Sequence, residues 1–171
     1  YSGCCRSNKI TTGLAGDRFY AESWFDRCKA PADNSPTFSE KPTGILCKNR
    51  QQIFTQGAVD IDTDSSGRLV DSLAYEFAQP LGTGPNDLLN YNPPLSFDKP
   101  LNFRGFPQAG LPAPFGFSLD AETGDLQFTP TKVQTSVLSI KVNEFRKVDG
   151  KMQKVGEIRR DVQFFVKNCP Q

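Results

Sequence analysis

Apolar and polar positions alternate in short runs along most of the chain. In VLSIKVNEF (137–145), Leu138, Ile140 and Val142 share one face of an extended segment, with Ser139, Lys141 and Asn143 on the other, because successive side chains of a strand point to opposite sides. In IRRDVQFFV (158–166), Ile158, Val162, Phe164 and Val166 share a face with Arg160. RFYAESWFD (18–26), ILCK (45–48), QQIFTQGAV (51–59), SLAYEFA (72–78), GFSLD (116–120) and DLQFTP (125–130) are rich in β-branched and aromatic residues, the composition of strands. No window carries a convincing amphipathic helix, and the 14 glycines and 13 prolines are spread as punctuation, which disfavours long helices. One apolar face per strand predicts antiparallel sheets with one side in a core and one in water. Short strands between turns predict an all-β sandwich.

Two turns can be placed. Glu122-Thr123-Gly124-Asp125 separates two strand runs, with Gly124 free to take a positive φ. Asp149-Gly150 separates the last two, and Asp-Gly between strand residues is a strong hairpin signal. The final strands are therefore expected to be antiparallel neighbours, with Glu144 and Arg146 facing Arg159, Arg160 or Asp161 in a cross-strand ion ladder. Residues 79–115 break the pattern. They are rich in proline and glycine yet carry Leu88, Leu89, Tyr91, Leu95, Phe97, Phe103 and Phe106. A bare loop of that length is unusual in a compact domain, so the segment reads either as a flap packed by its own apolar residues or as a binding surface. A polar stretch with two prolines, KAPADNSPTF (29–38), marks a boundary. Residues 1–32 are expected to complete or end a preceding β-domain, and 33–171 to form the main domain.

Composition narrows the chemistry. The net charge is +1, which offers no electrostatic case for nucleic acid or an anionic membrane. No apolar run approaches the roughly 20 residues that cross a bilayer. The chain opens at YSGCC without a methionine, as a processed product or a piece of something larger would. Histidine is absent, which removes the commonest general base and most catalytic zinc sites; we expect no enzyme. The five cysteines, Cys4, Cys5, Cys28, Cys47 and Cys169, include no C-x-x-C pair, so structural disulfides in an oxidising, extracellular compartment are expected. Cys4 or Cys5 could close onto Cys28; sequence alone leaves the connectivity open.

The run AVDIDTDSSG (58–67) sets Asp60, Asp62 and Asp64 at every second position, with Ser65 and Asp71 close by. Carboxylates so near repel one another unless a cation, a basic cluster or water relieves them. Calcium takes six to eight hard oxygen ligands, which makes these aspartates candidate ligands. The spacing is not that of an EF-hand.

Three stretches, in order, resemble the cadherin repeat: DNSPTF (33–38), its linker; AVDIDTDSSGRLVDSLAYEF (58–77), its Asp-x-Asp segment; and LDAETGDLQF (119–128), its Asp-x-x-Thr-Gly turn. By that resemblance Asp33, Asn34, Asp60 and Asp62 are candidate ligands for a calcium ion that stiffens an array of domains. The acidic Asp-Arg-Glu motif of that family has no counterpart in FTPTKVQTS. A broader resemblance spans nearly the whole chain. CCRSN (4–8), DNSPTF, Cys47, AVDID, LDAETGDLQFTP, VNEFR (142–146) and RRDVQFFVKNC (159–169) are similar to a recurring Ig-like or cadherin-like unit of large secreted Bacteroidetes surface proteins of the gliding-motility-associated type.

The resemblance implies an antiparallel β-sandwich of Ig-like or cadherin-like type with a long irregular Pro/Gly-rich insertion. It also implies a Cys47–Cys169 disulfide at one pole; that leaves one bond among Cys4, Cys5 and Cys28, for which Cys5 and Cys28 are the candidates, and one spare thiol. The function it implies is non-catalytic: a secreted structural or adhesive module at the cell surface. Calcium is the candidate cofactor, and the partners are neighbouring domains or identical subunits. The alternative is a carbohydrate-binding module that takes surface glycans, with Tyr91, Phe97, Phe103 and Phe106 as stacking platforms.

Overall fold

The computed structural model describes residues 1–170; among them are twelve strands and no helix. β11 (Gln134–Val148) and β12 (Lys151–Lys167) form a long antiparallel hairpin, in register from Gln134↔Val166 to Val148↔Lys151. Asp149 and Gly150 both have positive φ, 50° and 80°. Two left-handed residues match the twist of the flanking strands, and Asp-Gly tolerates that conformation.

This hairpin is the middle of a five-stranded sheet. β8 (Asp71–Ala78) pairs antiparallel with β11. On the other side of β12, β3 (Ser23–Phe25) pairs antiparallel at Gly156–Ile158, and β5 (Thr43–Cys47) pairs parallel at Gln163–Lys167. A second sheet has the order β6 (Gln52–Thr55), β10 (Asp125–Phe128), β9 (Phe117–Leu119). The turn between β9 and β10 is closed by Asp120, whose Oδ1 accepts the N–H groups of Glu122 and Thr123, and Gly124 sits at φ 73°. Two short pairs complete the frame: β1 (Ser2–Gly3) with β2 (Phe19–Tyr20), and β4 (Thr37–Phe38) with β7 (Ala58–Val59).

Apolar side chains of the two larger sheets meet in one core. Leu138 and Ile140 of β11, Val162, Phe164 and Val166 of β12, Leu46, Phe117, Leu126 and Phe128 are all buried there. Rings run through it as a chain: Phe103 to Phe117 to Phe128 to Phe164, with centroids 5.6, 4.9 and 5.7 Å apart. Each fully buried side chain of this kind stabilises the fold by about 1.5–3 kcal/mol in transfer free energy. Cys47 and Cys169 are joined by a disulfide across 122 positions of the chain.

Several expected features take a different form. RFYAESWFD is not one strand but two, β2 and β3. QQIFTQGAV breaks after Thr55; Gly57 has a φ of 62°, and the chain leaves the β10 partnership to pair with β4. From Ser136 to Glu144, β11 is buried on both faces except at Lys141, which is half-buried. Val137 packs with Ile10 and Leu14 of the N-terminal segment and with Tyr91, Leu89 and Leu95 of the 79–115 segment, and Ser139 and Asn143 are buried. Residues 1–32 thus lie against this sheet, and the 79–115 segment supplies apolar side chains to both of its faces. Tyr91 shows how it is held: its hydroxyl donates to the Val137 carbonyl at 2.8 Å in a buried position. Tyr91→Phe is expected to destabilise the fold by about 1–2 kcal/mol, read as a lower urea midpoint with an unchanged slope.

A candidate cation site at one end of the core

The core row of β11 does not end in apolar residues. Leu138, Ile140 and Val142 are followed on the same face by Glu144 and Arg146, past a bulge between Glu144 and Phe145. On β8, which pairs with β11, Asp71 stands directly opposite Arg146 and Leu73 opposite Glu144. The parity that sends Val142 inward also sends Glu144 inward, where it is 0% exposed. Room for it comes from Gly156, its partner across the ladder. A Cβ on Gly156 would run into Glu144 Oε2.

The Asp-x-Asp segment closes over this end. Asp60 and Asp62 point inward and are 8% exposed, while Ile61 between them is 71% exposed, the reverse of ordinary burial preference. Asp60 Oδ1 accepts the Asp62 N–H at 2.8 Å. Residues 62–70 then double back as a small hairpin, with Val70 N–H donating to Asp62 O and Thr63 bridged to Leu69. That hairpin carries Asp71 back beside Asp62. Asp33 reaches the cluster from the 29–36 segment, and its side chain is fully buried.

The five carboxylates fall into two overlapping trios. Oxygens of Asp33, Asp62 and Asp71 lie within 4.8 Å of one another, as do oxygens of Asp60, Asp71 and Glu144. Arg146 serves the first trio. Its Nε donates to Asp71 Oδ1 at 2.6 Å; its Nη2 contacts Asp71 Oδ2, donates to Asp62 Oδ2 at 3.0 Å and lies 2.6 Å from Asp33 Oδ1. The Asp33 contact is an ion pair without hydrogen-bond alignment, since both Asp33 oxygens lack a hydrogen-bond donor. In the second trio Asp60 Oδ2 and both oxygens of Glu144 are buried with no partner.

Electrostatics follow from this placement. Two ionised carboxylates 4.8 Å apart repel by about 3 kcal/mol at an effective dielectric of about 20. Burial, and then the charges of Asp33, Asp60 and Asp71, push the Glu144 carboxyl up to about 9. Burial also raises Asp33, against the pull of Arg146. Burial opposes ionisation of Asp62 too, but hydrogen bonds from Asn34 and Arg146 outweigh it and hold that carboxyl below its ordinary value.

Of the residues proposed from sequence, Asp33, Asp60, Asp62 and Asp71 meet here. Asn34 touches the cluster only through Asp62, to which its backbone N–H and its Nδ2 donate at 2.9 and 2.6 Å. Asp64 is a correction. It is exposed, and its Oδ1 accepts from Ser66 N, Ser66 Oγ and Arg68 N, so it closes its own turn and belongs to neither trio. Glu144 is the member that spacing arguments missed. The expected ion ladder is also corrected: the register sets Glu144 opposite Gly156 and Arg146 opposite Gln153, while Arg159, Arg160 and Asp161 face Lys141, Ile140 and Ser139. The signal for Glu144 was present in the alternation Leu138, Ile140, Val142, Glu144.

The Cys5–Cys28 pairing is corrected as well. Cys4 and Cys5 are bonded to each other, and Cys28 is exposed and free among the described residues. Arg6 is anchored to Asp161 of β12, whereas β3 pairs at Gly156–Ile158 and runs away from that point. Five residues along a strand span about 17 Å, beyond the reach of a disulfide. The aromatic platforms are corrected in part. Tyr91 and Phe103 are 6% and 2% exposed, and Phe106 packs edge-on to Phe103 at the core. Phe97 alone of the four is exposed, beside a hollow lined by Gln79, Asn90 and Pro93. A ring that faces the core has no face left for a sugar.

The donor set of the second trio, Asp60, Asp71 and Glu144, is entirely carboxylate oxygen. Such a set suits a hard divalent cation and not zinc or copper, which favour nitrogen and sulfur. The orphaned buried oxygens of Asp60 and Glu144 fit that ion. No helix among the described residues is long and apolar enough to cross a membrane. Comparison with protein-family models, with curated proteins and with solved structures finds no match.

Proposed function

We propose that the chain is a non-catalytic structural or adhesive module of an extracellular surface protein or fibre, a β-sandwich of Ig-like or cadherin-like type stiffened by calcium at its acidic end. The observation that carries this reading is Glu144, a fully buried carboxylate with neither oxygen partnered, beside Asp60 and Asp71. A cation there ties three separate pieces of chain together: β11 through Glu144, β8 through Asp71 and the 58–62 segment through Asp60. The disulfide between Cys47 and Cys169 supports an oxidising compartment. The absence of histidine supports a mechanical over a chemical role. Neighbouring domains or further copies of the chain are the partners this reading implies.

Thermal unfolding tests it. Calcium at about 100 times its dissociation constant adds roughly 2.7 kcal/mol to a protein that binds it only when folded. The melting midpoint is therefore expected to rise with calcium, fall again with EDTA, and respond far less to magnesium, which demands tighter octahedral geometry. Identical midpoints in calcium and EDTA would sink the reading.

A further inference from the structure

From the two trios we infer that Arg146 is a built-in cation that fills one of two adjoining acidic compartments, so that the module takes one divalent ion and not two. The inference rests on the cation-binding reading above and specifies how the site is divided. The compartments share Asp71. In the outer one, Arg146 Nη2 touches all three acids, Asp33, Asp62 and Asp71, from a position that a metal ion would otherwise take. In the inner one, Asp71 is already held by Arg146 through both its oxygens, but Asp60 and Glu144 have no basic partner, and Asp60 Oδ2 and both Glu144 oxygens are buried and unpartnered. A guanidinium suits the outer compartment because its planar fork serves several carboxylates at once.

The arrangement has a physical logic. Two divalent ions around a shared carboxylate repel one another, and each must complete a shell of six to eight oxygens with water or backbone carbonyls. A guanidinium brings one charge and its own directed donors, so it neutralises the outer acids without demanding a full shell. It also ties β11 to β8 and to the 33 and 62 segments before any ion arrives. The hollow lined by Ala32, Asp62, Thr63, Val70, Arg146 and Lys147 lies on the Arg146 side and gives the outer compartment a path to solvent.

Calcium titration by calorimetry reads the division as a stoichiometry. The native chain is expected to bind one ion. Arg146→Met, which keeps much of the stem and removes the charge, is expected to bind two. The double variant Arg146→Met with Glu144→Gln returns to one, now in the outer compartment. A single ion on Arg146→Met, or two on the native chain, overturns the division while leaving the cation-binding reading intact. No ion on the native chain overturns that reading itself. Manganese-soaked crystals of the native chain give the same answer without relying on a variant that folds. One anomalous peak among Asp60, Asp71 and Glu144 supports the division; a peak in the outer trio with Arg146 displaced overturns it.

Discussion

Freed of divalent cations, the protein loses stability as pH rises from about 5 to about 9. Glu144 is the cause. Its carboxyl titrates from an ordinary 4.5 in the unfolded chain and at about 9 in the fold. Between those values the folded state holds a proton that the unfolded state has released. The stabilisation is complete below the unfolded value and is lost as pH climbs through the folded one. The slope approaches about 1.4 kcal/mol per pH unit. Asp33, also raised by burial, adds to it with the same sign. The lowered carboxyls of Asp62, Asp64 and Asp120 act in the opposite sense, but only in the acid range around and below their ordinary value. With no histidine in the chain, no imbalance of imidazole protons adds to the window. Urea unfolding in EDTA at several pH values measures the slope, and Glu144→Gln is expected to flatten it. If calcium binds as proposed, the same substitution in calcium is expected to work against the protein, because it removes a proposed ligand. A metal-free stability that rises steadily from pH 5 to 9 would show that Glu144 is not held neutral in the fold.

Cys47→Ser is expected to lower stability by about 5 kcal/mol on the chain-entropy account of cross-links, since the loop closed by Cys47 and Cys169 spans 122 positions. The bond joins the end of β5 to the chain just past β12, where β5 lies as a parallel edge strand. Parallel edge pairing has no tight turn to hold it, so the disulfide holds what local sequence does not. Denaturant midpoints of Cys47→Ser and Cys169→Ser, measured against the oxidised native chain, should fall together, and the double variant should lose no more than either alone. Strictly additive losses would show that the two cysteines act through separate contacts. Cys28→Ser, at an exposed and unpaired position, serves as the control.

Much of the frame was legible from alternation. The runs at 72–78, 125–128, 137–145 and 158–166 are strands because each offers an apolar stripe at period two, and the last two form a hairpin because Asp149-Gly150 accepts the left-handed turn that joins them. The limits were equally physical. Alternation reports that a strand has an apolar face, not that its polar face is uncovered. Val137, on the face opposite the core row, is buried because Ile10, Leu14 and Tyr91, far away in the chain, lie over it. Aromatics in a Pro/Gly-rich segment look the same whether they face water or the core, and Phe103 faces the core.

For the acidic end the division is sharper. Asp60, Asp62 and Asp71 are close in sequence and announce themselves by spacing. Glu144 obeys the same inward parity as Leu138, Ile140 and Val142, so its direction was in the sequence as well. What no spacing could supply is the meeting of Asp33, Asp60, Asp71 and Glu144 at one end of the core, with Arg146 spent on one side of it. Local propensity sets which way a side chain points. Only the pairing of distant strands, decided by the packing of the whole core, sets which side chains it points at.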